Sequence, residues 1–358
     1  MTDIALNRLA NQQISEKKET SAPKVIQWLG AMQAQDLPMA LWAIGLRTLG
    51  STHDSVREAF DKGEIIRTHV MRPTWHYISA DDIYWMLELT APQIKRALNT
   101  RHKQLGITDD VLKKVMNIFI RYLEKNGSSL REELVSQLEK AGIPNKDNRA
   151  AHLLMHAELD GVICSGPLKG NKQTYALLEE RVPDKKTLST DEALAELALR
   201  YFTSHGPAML DDFIWWSGLK KNQANLALEL CKSKLYSATI DSQEYWFNSS
   251  HSFSQTNEES VYLLPAFDEF IISYRDRSAM IASENHQKAI SRNGLFWPVI
   301  VVNGKVEGLW KKTIKNQTVE IGTQLFRNFP SLILKNIYEQ AKLYGEFLGK
   351  KNVVKQTF

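Results

Sequence analysis

The feature of this 358-residue chain that most limits how it can fold is a weak internal repeat of three helices followed by two strands. One supersecondary pattern recurring along a chain constrains architecture more than any single motif, because each copy buries its apolar face only by packing on a neighbour. In the middle copy, Val111, Val115, Ile118, Phe119 and Tyr122 recur at helical spacing and predict a helix over 109–125. Gly127 ends it, and Ser128 or Ser129 reads as the N-cap of a second helix to about 140, with Glu132 and Glu133 near the positive end of its dipole. Gly142 and Pro144 break the chain before a third helix over 147–160, and 161–164 and 175–178 read as strands around a turn. Three helices and a hairpin describe a winged helix.

The next copy repeats the order: a helix over 190–204, a break at Gly206-Pro207, a helix containing Asp211 and Asp212, a helix over 220–232, then strands near 236–240 and 245–247. The first copy is the most modified. Helices fill 5–49 and 54–61, and strands over 64–69 and 74–78 flank a turn at Met71-Arg72-Pro73. Past a polar stretch over 248–259 the periodicity changes. Residues 261–264, 270–274, 295–302, 306–311 and 318–322 read as strands, with Asn303-Gly304 a two-residue hairpin signal. Pro330 opens a final helix to about 349, and the basic tail 350–358 is expected to be mobile. The expected class is therefore α+β. Three tandem winged-helix units (1–105 with extra helices, 106–187 and 188–250) precede a small barrel-like β-rich domain with a terminal helix over 260–358.

Composition narrows the function. With 43% hydrophobic and 24% charged residues the chain is globular, and its longest apolar runs fall far short of the roughly 20 residues that span a bilayer. The polar first 20 residues lack the apolar core of a secretory signal, so a cytoplasmic protein without membrane association is expected. Cys164 and Cys231, the only two cysteines, fit a reducing compartment and make no metal cluster. A net charge of +4 permits contact with a polyanion without requiring it. Tandem winged helices favour duplex DNA as the partner, although the same modules also serve protein–protein contacts.

Specific segments sharpen this. Ala31-Met32-Gln33-Ala34-Gln35, followed by residues 41–47 (LWAIGLR), resembles the Gln-x-Gln segment of the winged-helix, YcaQ-related family of AlkZ-like bacterial DNA glycosylases. Arg67-Thr68 and Arg72-Pro73-Thr74-Trp75-His76 resemble the segment that follows, with Pro73 where that family usually has glycine. Residues 263–269 (LLPAFDE), Arg275-Asp276-Arg277 and residues 298–310 (PVIVVNGKVEGLW) resemble its C-terminal pattern. YcaQ-like members carry Asp at the second Gln position and again where this chain has Trp310, so Gln35 and Trp310 are nearer the AlkZ-like branch.

The resemblance implies hydrolysis of the N-glycosidic bond of alkylated purines, some cross-linked, with no cofactor and no metal, by a monofunctional glycosylase expected to act as a monomer. An N7-alkylated purine already carries positive charge and leaves without a strong general acid. The remaining work is to position a water and stabilise an oxocarbenium-like sugar, which a carboxamide can do as acceptor and as dipole. Gln33 and Gln35 are the expected pair. On a helix they would point about 200° apart, so both can face one site only where the helix ends or distorts, as Pro38 suggests. Expected DNA contacts are Arg72 at the first hairpin tip, Thr74, His76, Arg275, Arg277, Lys305, Lys311 and Lys312. The rival reading is a non-catalytic DNA-binding protein or transcriptional regulator, which release of free base would separate.

Other signals weigh less. His152 and His156 have ligand spacing on a helix but no evident third ligand, and 166–172 lacks the Gly-Lys-Ser/Thr ending of a phosphate loop. The paired acids Asp81-Asp82, Glu132-Glu133 and Asp211-Asp212 sit at expected helix starts, where carboxylates stabilise the dipole.

Overall fold

A computed structural model describes residues 3–16, 18–248 and 259–356. The N-terminal region runs α1 (Ile4–Asn11), α2 (Ala22–Leu29), β1 (Met32–Gln33), α3 (Leu37–Arg47), α4 (His53–Lys62), β2 (Ile65–His69), β3 (Trp75–Ser79) and α5 (Ile83–Gln104). Each boundary has a local cause. Gly30 stops α2 at φ +81°, where only glycine is unstrained, and the Asp36 side chain caps α3 by accepting from the Met39 N–H at 3.1 Å. Thr52 and Ser55 form a capping box at the start of α4.

The middle region comprises α6 (Asp109–Asn126), β4 (Ser128–Leu130), α7 (Arg131–Lys140), α8 (Arg149–Leu159), β5 (Ile163–Lys169) and β6 (Lys172–Leu177). Val115, Phe119 and Leu123 of α6 close over Leu134, Leu138, Leu153 and Leu154 in a core separate from the main one. After α9 (Leu178–Arg181), the third region follows the expected order through α10 (Thr190–Ser204), α11 (Leu210–Ser217), α12 (Lys221–Cys231), β7 (Tyr236–Ile240) and β8 (Gln243–Phe247). The C-terminal region contains β9 (Val261–Leu264), α13 (Glu269–Ile272), α14 (His286–Ala289), β10 (Val299–Val302), β11 (Lys305–Ile314), β12 (Thr318–Leu325), α15 (Ser331–Phe347) and β13 (Lys351–Gln356). Among the described residues no helix is long and apolar enough to cross a membrane.

Several expectations need correction. Residues 32–33 are a strand, not helix, because Gly30 releases the chain into extended backbone, and Pro38 lies in the first turn of α3 instead of ending a helix. Ser128 and Ser129 do not cap α7. They pair with Ala176 and Tyr175, and the Glu133 carboxylate accepts from the Leu130 N–H at 2.6 Å instead. Within the apolar run 270–274, residues 270–272 are helical in α13 and the rest is a turn, because Asp268 accepts from the Phe270 N–H at 2.9 Å and the run is buried on all sides, where periodicity cannot tell strand from helix. The tail forms β13 through residue 356, parallel to β12. The C-terminal sheet has the order β13-β12-β11-β10-β9, with two edges among the described residues, so it is an open sheet and not a closed barrel. The Asn303-Gly304 hairpin forms as expected, with both residues at positive φ. Of the polar stretch 248–259, residues 249–258 lie outside the described residues.

The N-terminal, third and C-terminal regions share one core. Buried Arg8 on α1 donates to the Pro207 carbonyl at 2.9 Å, lies 3.5 Å from Asp212 and covers the Tyr274 ring at 3.6 Å. Arg47 at the end of α3 makes a two-pronged, fully buried pair with Asp268 at 2.8 and 2.9 Å. These two arginines tie α1 and α3 to the third and C-terminal regions.

Candidate active site

β1 pairs antiparallel with β3, Met32 opposite Tyr77 and Gln33 opposite His76, and the Ala34 N–H continues the ladder to the Trp75 carbonyl at 2.7 Å. Extended backbone returns every second residue to one side, so residues 33 and 35 can serve one place without the distortion a helix would need. Both amides meet the β2–β3 loop. Arg72 Nη2 donates to Gln33 Oε1 at 2.8 Å, and the Trp75 backbone N–H donates to Gln35 Oε1 at 3.0 Å. A guanidinium and an amide N–H cannot accept, so both carboxamide oxygens must face the loop. Each oxygen keeps a second lone pair and each NH₂ remains for other partners. Gln33 is 5% exposed, whereas Gln35 is open to solvent.

Beneath Gln33 lies a carboxylate. Glu269 Oε1 accepts from the Gln33 backbone N–H at 2.5 Å, and Oε2 accepts from the Trp216 indole at 3.2 Å and from the Ser273 hydroxyl. His205 Nε2 stands 3.6 Å away, too far for a hydrogen bond, and burial holds this imidazole below its ordinary value, so it pairs with Glu269 as an ion only when protonated. Burial opposes ionisation of Glu269, but the attraction of His205, the Ser273 hydroxyl and the Gln33 N–H outweigh it and hold the carboxyl at about 2. His76 is fully buried. Its Nδ1 lies 2.9 Å from the Thr74 carbonyl, which can only accept, so Nδ1 carries the proton and Nε2 presents a lone pair. Burial, helped by nearby Arg72, pushes this imidazole down to about 3, so it is neutral at physiological pH. Among the described residues His76 Nε2, Thr74 Oγ1 and Arg72 Nε are buried polar atoms without a partner, gathered around the same loop. Such atoms are costly unless a ligand or water meets them.

The remaining sequence-expected residues divide. Arg72 turns inward onto Gln33 instead of outward from a hairpin tip. Arg277 Nε donates to the Ile271 carbonyl at 2.9 Å, and its guanidinium lies 5.2 Å from the Trp215 ring, whose other neighbour at 5.9 Å is Arg72. Arg277 thus belongs to the same neighbourhood as Gln33. Arg275 is exposed and paired with Asp211 at 2.6 Å. Lys305 donates to the Ala279 carbonyl at 2.6 Å, beside a hairpin turn that packs on Ala5 of α1 and so lies apart from Gln33. Lys311 is exposed on β11. Lys312 is largely buried, which lowers its pKa, while the charge of Asp36 raises it.

Sequence reasoning missed Glu269 and Trp215 as neighbours of the glutamines. Glu269 stands in the quoted 263–269 segment, where two acids entering an apolar run were a usable signal. It also missed Arg67, which donates to the Ala34 carbonyl at 2.8 Å and covers Trp75 at 4.1 Å. His102 joins His152 and His156, with ring centroids 5.6 and 5.5 Å away, yet no group of three or more metal-binding side chains among the described residues is arranged to hold an ion.

The class this fold defines emerges from a solved structure. The DNA glycosylase AlkZ of Streptomyces sahachiroi superposes with a TM-score of 0.79 over 99% of each chain at 20% identity, which shows a shared fold of mixed helix and sheet. The chain belongs to the AlkZ-like DNA glycosylase family, whose model matches residues 26–347. It is also 24% identical over 326 residues, 85% of each chain, to the interstrand DNA cross-link repair glycosylase of Streptomyces sahachiroi.

Proposed function

We propose that this protein is a monofunctional glycosylase that hydrolyses the N-glycosidic bond of N7-alkylated, bulky or cross-linked purines in duplex DNA. The observation that carries the reading is the pair of carboxamides, Gln33 and Gln35, held by one loop with their oxygens oriented by Arg72 and the Trp75 N–H. In this reading the C1′–N9 bond breaks with its electron pair passing into the purine, where it neutralises the N7 cation. A water held by the amides then adds to C1′, and its proton is lost to solvent. Neither glutamine needs to ionise. The lone pair left on each amide oxygen and the buried Glu269 charge favour a cationic sugar, and preorganised groups of this kind do not reorganise during the step. His76 Nε2, Thr74 Oγ1 and Arg72 Nε are buried in the free protein, so they would meet the sugar or its water only if the loop moves.

The three helix–hairpin regions would act as winged-helix units, bounded at about 1–105, 106–187 and 188–250, followed by a C-terminal β-rich domain over 260–358. Arg277 and Lys311 would meet phosphates. Arg275, whose charge Asp211 offsets, would contribute less, and Lys305 lies beside a different hairpin turn.

The deciding experiment incubates wild type, Gln33→Ala and Gln35→Ala proteins with duplexes carrying N7-methylguanine or a nitrogen-mustard cross-link, scoring free base and abasic sites. Wild type is expected to release base and leave an uncleaved abasic strand, and each variant to lose roughly 10²–10³-fold in rate, the scale of removing one transition-state dipole. Release by both variants at the wild-type rate would remove the glutamines from the chemistry. DNA binding with no release from any lesion would favour the regulator reading.

A further inference from the structure

A groove of about 550 Å³ lies between the start of α3 and the C-terminal sheet, lined among others by Asp36, Met39, Phe267, Phe296, Trp297 and Lys311. That volume is of the size that holds small organic ligands, about 300–1,000 Å³. Its walls are aromatic: Phe267 and Phe296 stand 6.0 Å apart, and Trp297 is 45% exposed beside Leu295, which is 46% exposed. Neighbouring apolar side chains left in water at one concavity mark a binding surface more often than chance exposure does. The rim is held in shape, because the Trp297 N–H donates to the Ala289 carbonyl at 3.0 Å and Phe296 forms a bridge with Ile290.

Neither glutamine lines the groove, but two runs of residues lead from it toward them. Asp36 at one end directly follows Gln35 in the chain. From the other side a continuous run of contacts leads from Gln33 to Arg72 at 2.8 Å, to Trp215 at 5.9 Å, to Arg277 at 5.2 Å and to Phe296 at 5.1 Å. Lys312 is also part of the lining, its Nζ buried without a hydrogen-bond partner among the described residues. Aromatic walls beside lysines do not suit a bare phosphodiester. They suit an apolar ring system attached to an anionic polymer.

We infer that this groove receives the aromatic body of a bulky N7 substituent, and that Trp297 stacks on it while Gln33 and Gln35 face the sugar. The assignment rests on the base-release reading and makes Trp297 a determinant of which lesions are preferred. A methyl lesion leaves the groove empty. A two-ring aromatic substituent fills it, and one aromatic stacking partner corresponds to roughly 5- to 150-fold in affinity or rate.

The test compares wild type with Trp297→Ala on two duplexes, one carrying N7-methylguanine and one an N7-guanine adduct with a two-ring aromatic group, measuring both kcat/KM for base release and Kd. Phe296→Leu is the second variant, and thermal melting checks that each folds. The expected result is that kcat/KM and affinity for the aromatic adduct fall about tenfold or more in Trp297→Ala, with N7-methylguanine unchanged. Equal effects on both duplexes, or none on either, overturn the groove assignment. Should wild type release neither base yet bind the aromatic adduct more tightly than unmodified duplex, and Trp297→Ala abolish that preference, the groove stands and the base-release reading falls. Equal wild-type affinity for adducted and unmodified duplex overturns the groove.

Discussion

The Arg72 guanidinium donates to the Gln33 carboxamide oxygen across 2.8 Å and so fixes which face of that amide is turned to the β2–β3 loop. The loop itself is braced from behind. Met71 has φ +62°, and a Cβ added to Gly218 would lie 2.5 Å from the Met71 carbonyl oxygen, so only glycine lets the α11–α12 turn come this close. Arg72 therefore acts as a positioning residue. Arg72→Met, which keeps the apolar stem, is expected to lower kcat for base release by about 10²-fold, the cost of a misplacement near 1 Å, while KM changes little. Single-turnover kinetics over a range of enzyme concentrations separates the two. A raised KM with kcat intact would mean that Arg72 serves DNA contact instead.

Glu269 supplies the second prediction. Its carboxyl is held at about 2, below the ordinary 4.5, so the folded state favours the anion. Above about 4.5 both folded and unfolded chains are ionised and the stabilisation is complete. As pH falls from there toward 2 the unfolded chain binds the proton first, and the stabilisation drains away. Glu269→Gln is expected to cost about 1.5–3 kcal/mol at pH 7, the range of hydrogen bonds to a charged group, and the gap from wild type is expected to narrow as pH falls from 4.5 toward about 2. Urea unfolding at a series of pH values checks this. A gap independent of pH would remove the charge from the account.

Much of this architecture was legible in the sequence, and the exceptions share a cause. The helix over 190–204 and the Asn303-Gly304 hairpin carry their own signals, in periodic Leu194, Leu197, Ala198 and Tyr201 and in a turn that demands positive φ. The run 270–274 lacks such a signal, because a segment buried on all sides has no polar face to set a period. Gln33 and Gln35 were found through their motif, but their geometry was not. Whether 31–35 is helix or strand depends on His76 and Tyr77, more than 40 residues away, offering a ladder to Met32 and Gln33. Arg72 at a turn likewise looked solvent-facing until the partner strand brought Gln33 under it.

Packing at the α3–α15 crossing gives a third expectation. Gly45 lets the two helices approach so closely that an added Cβ would sit 2.3 Å from Phe347 Cε2, beside Trp42, whose ring lies 5.1 Å from each of the Tyr344 and Phe347 rings. Gly45→Ala is therefore expected to destabilise by about 1–3 kcal/mol through overpacking, despite the better helix propensity of alanine. Gly45→Ala/Phe347→Leu should recover part of the loss in thermal melting. No recovery would place the strain elsewhere in α3.

The buried Arg47–Asp268 pair makes a harsher prediction, because removing one partner leaves the other charged and unmatched. Asp268→Ala also strips the cap from α13, the helix that carries Glu269 beneath Gln33. A loss of about 3–5 kcal/mol is expected, read as a shift in denaturant midpoint with an unchanged slope. Base release by the protein that remains folded should fall as well, since α13 sets the height of Glu269.

Salt dependence discriminates among the surface cations. Binding to duplex DNA is expected to weaken linearly in log–log form with salt, losing about 0.9 of slope for each phosphate contact removed. Arg275 is paired with Asp211 at 2.6 Å, so the two together carry no net charge and Arg275→Ala should change the slope little. Lys311 is exposed at the edge of the aromatic groove, next to Lys312, and Lys311→Ala should flatten the slope by about one contact. Titrations on one undamaged duplex at several salt concentrations measure both. A larger change for Arg275 than for Lys311 would move the phosphate track from the groove edge to the α11 side of the molecule.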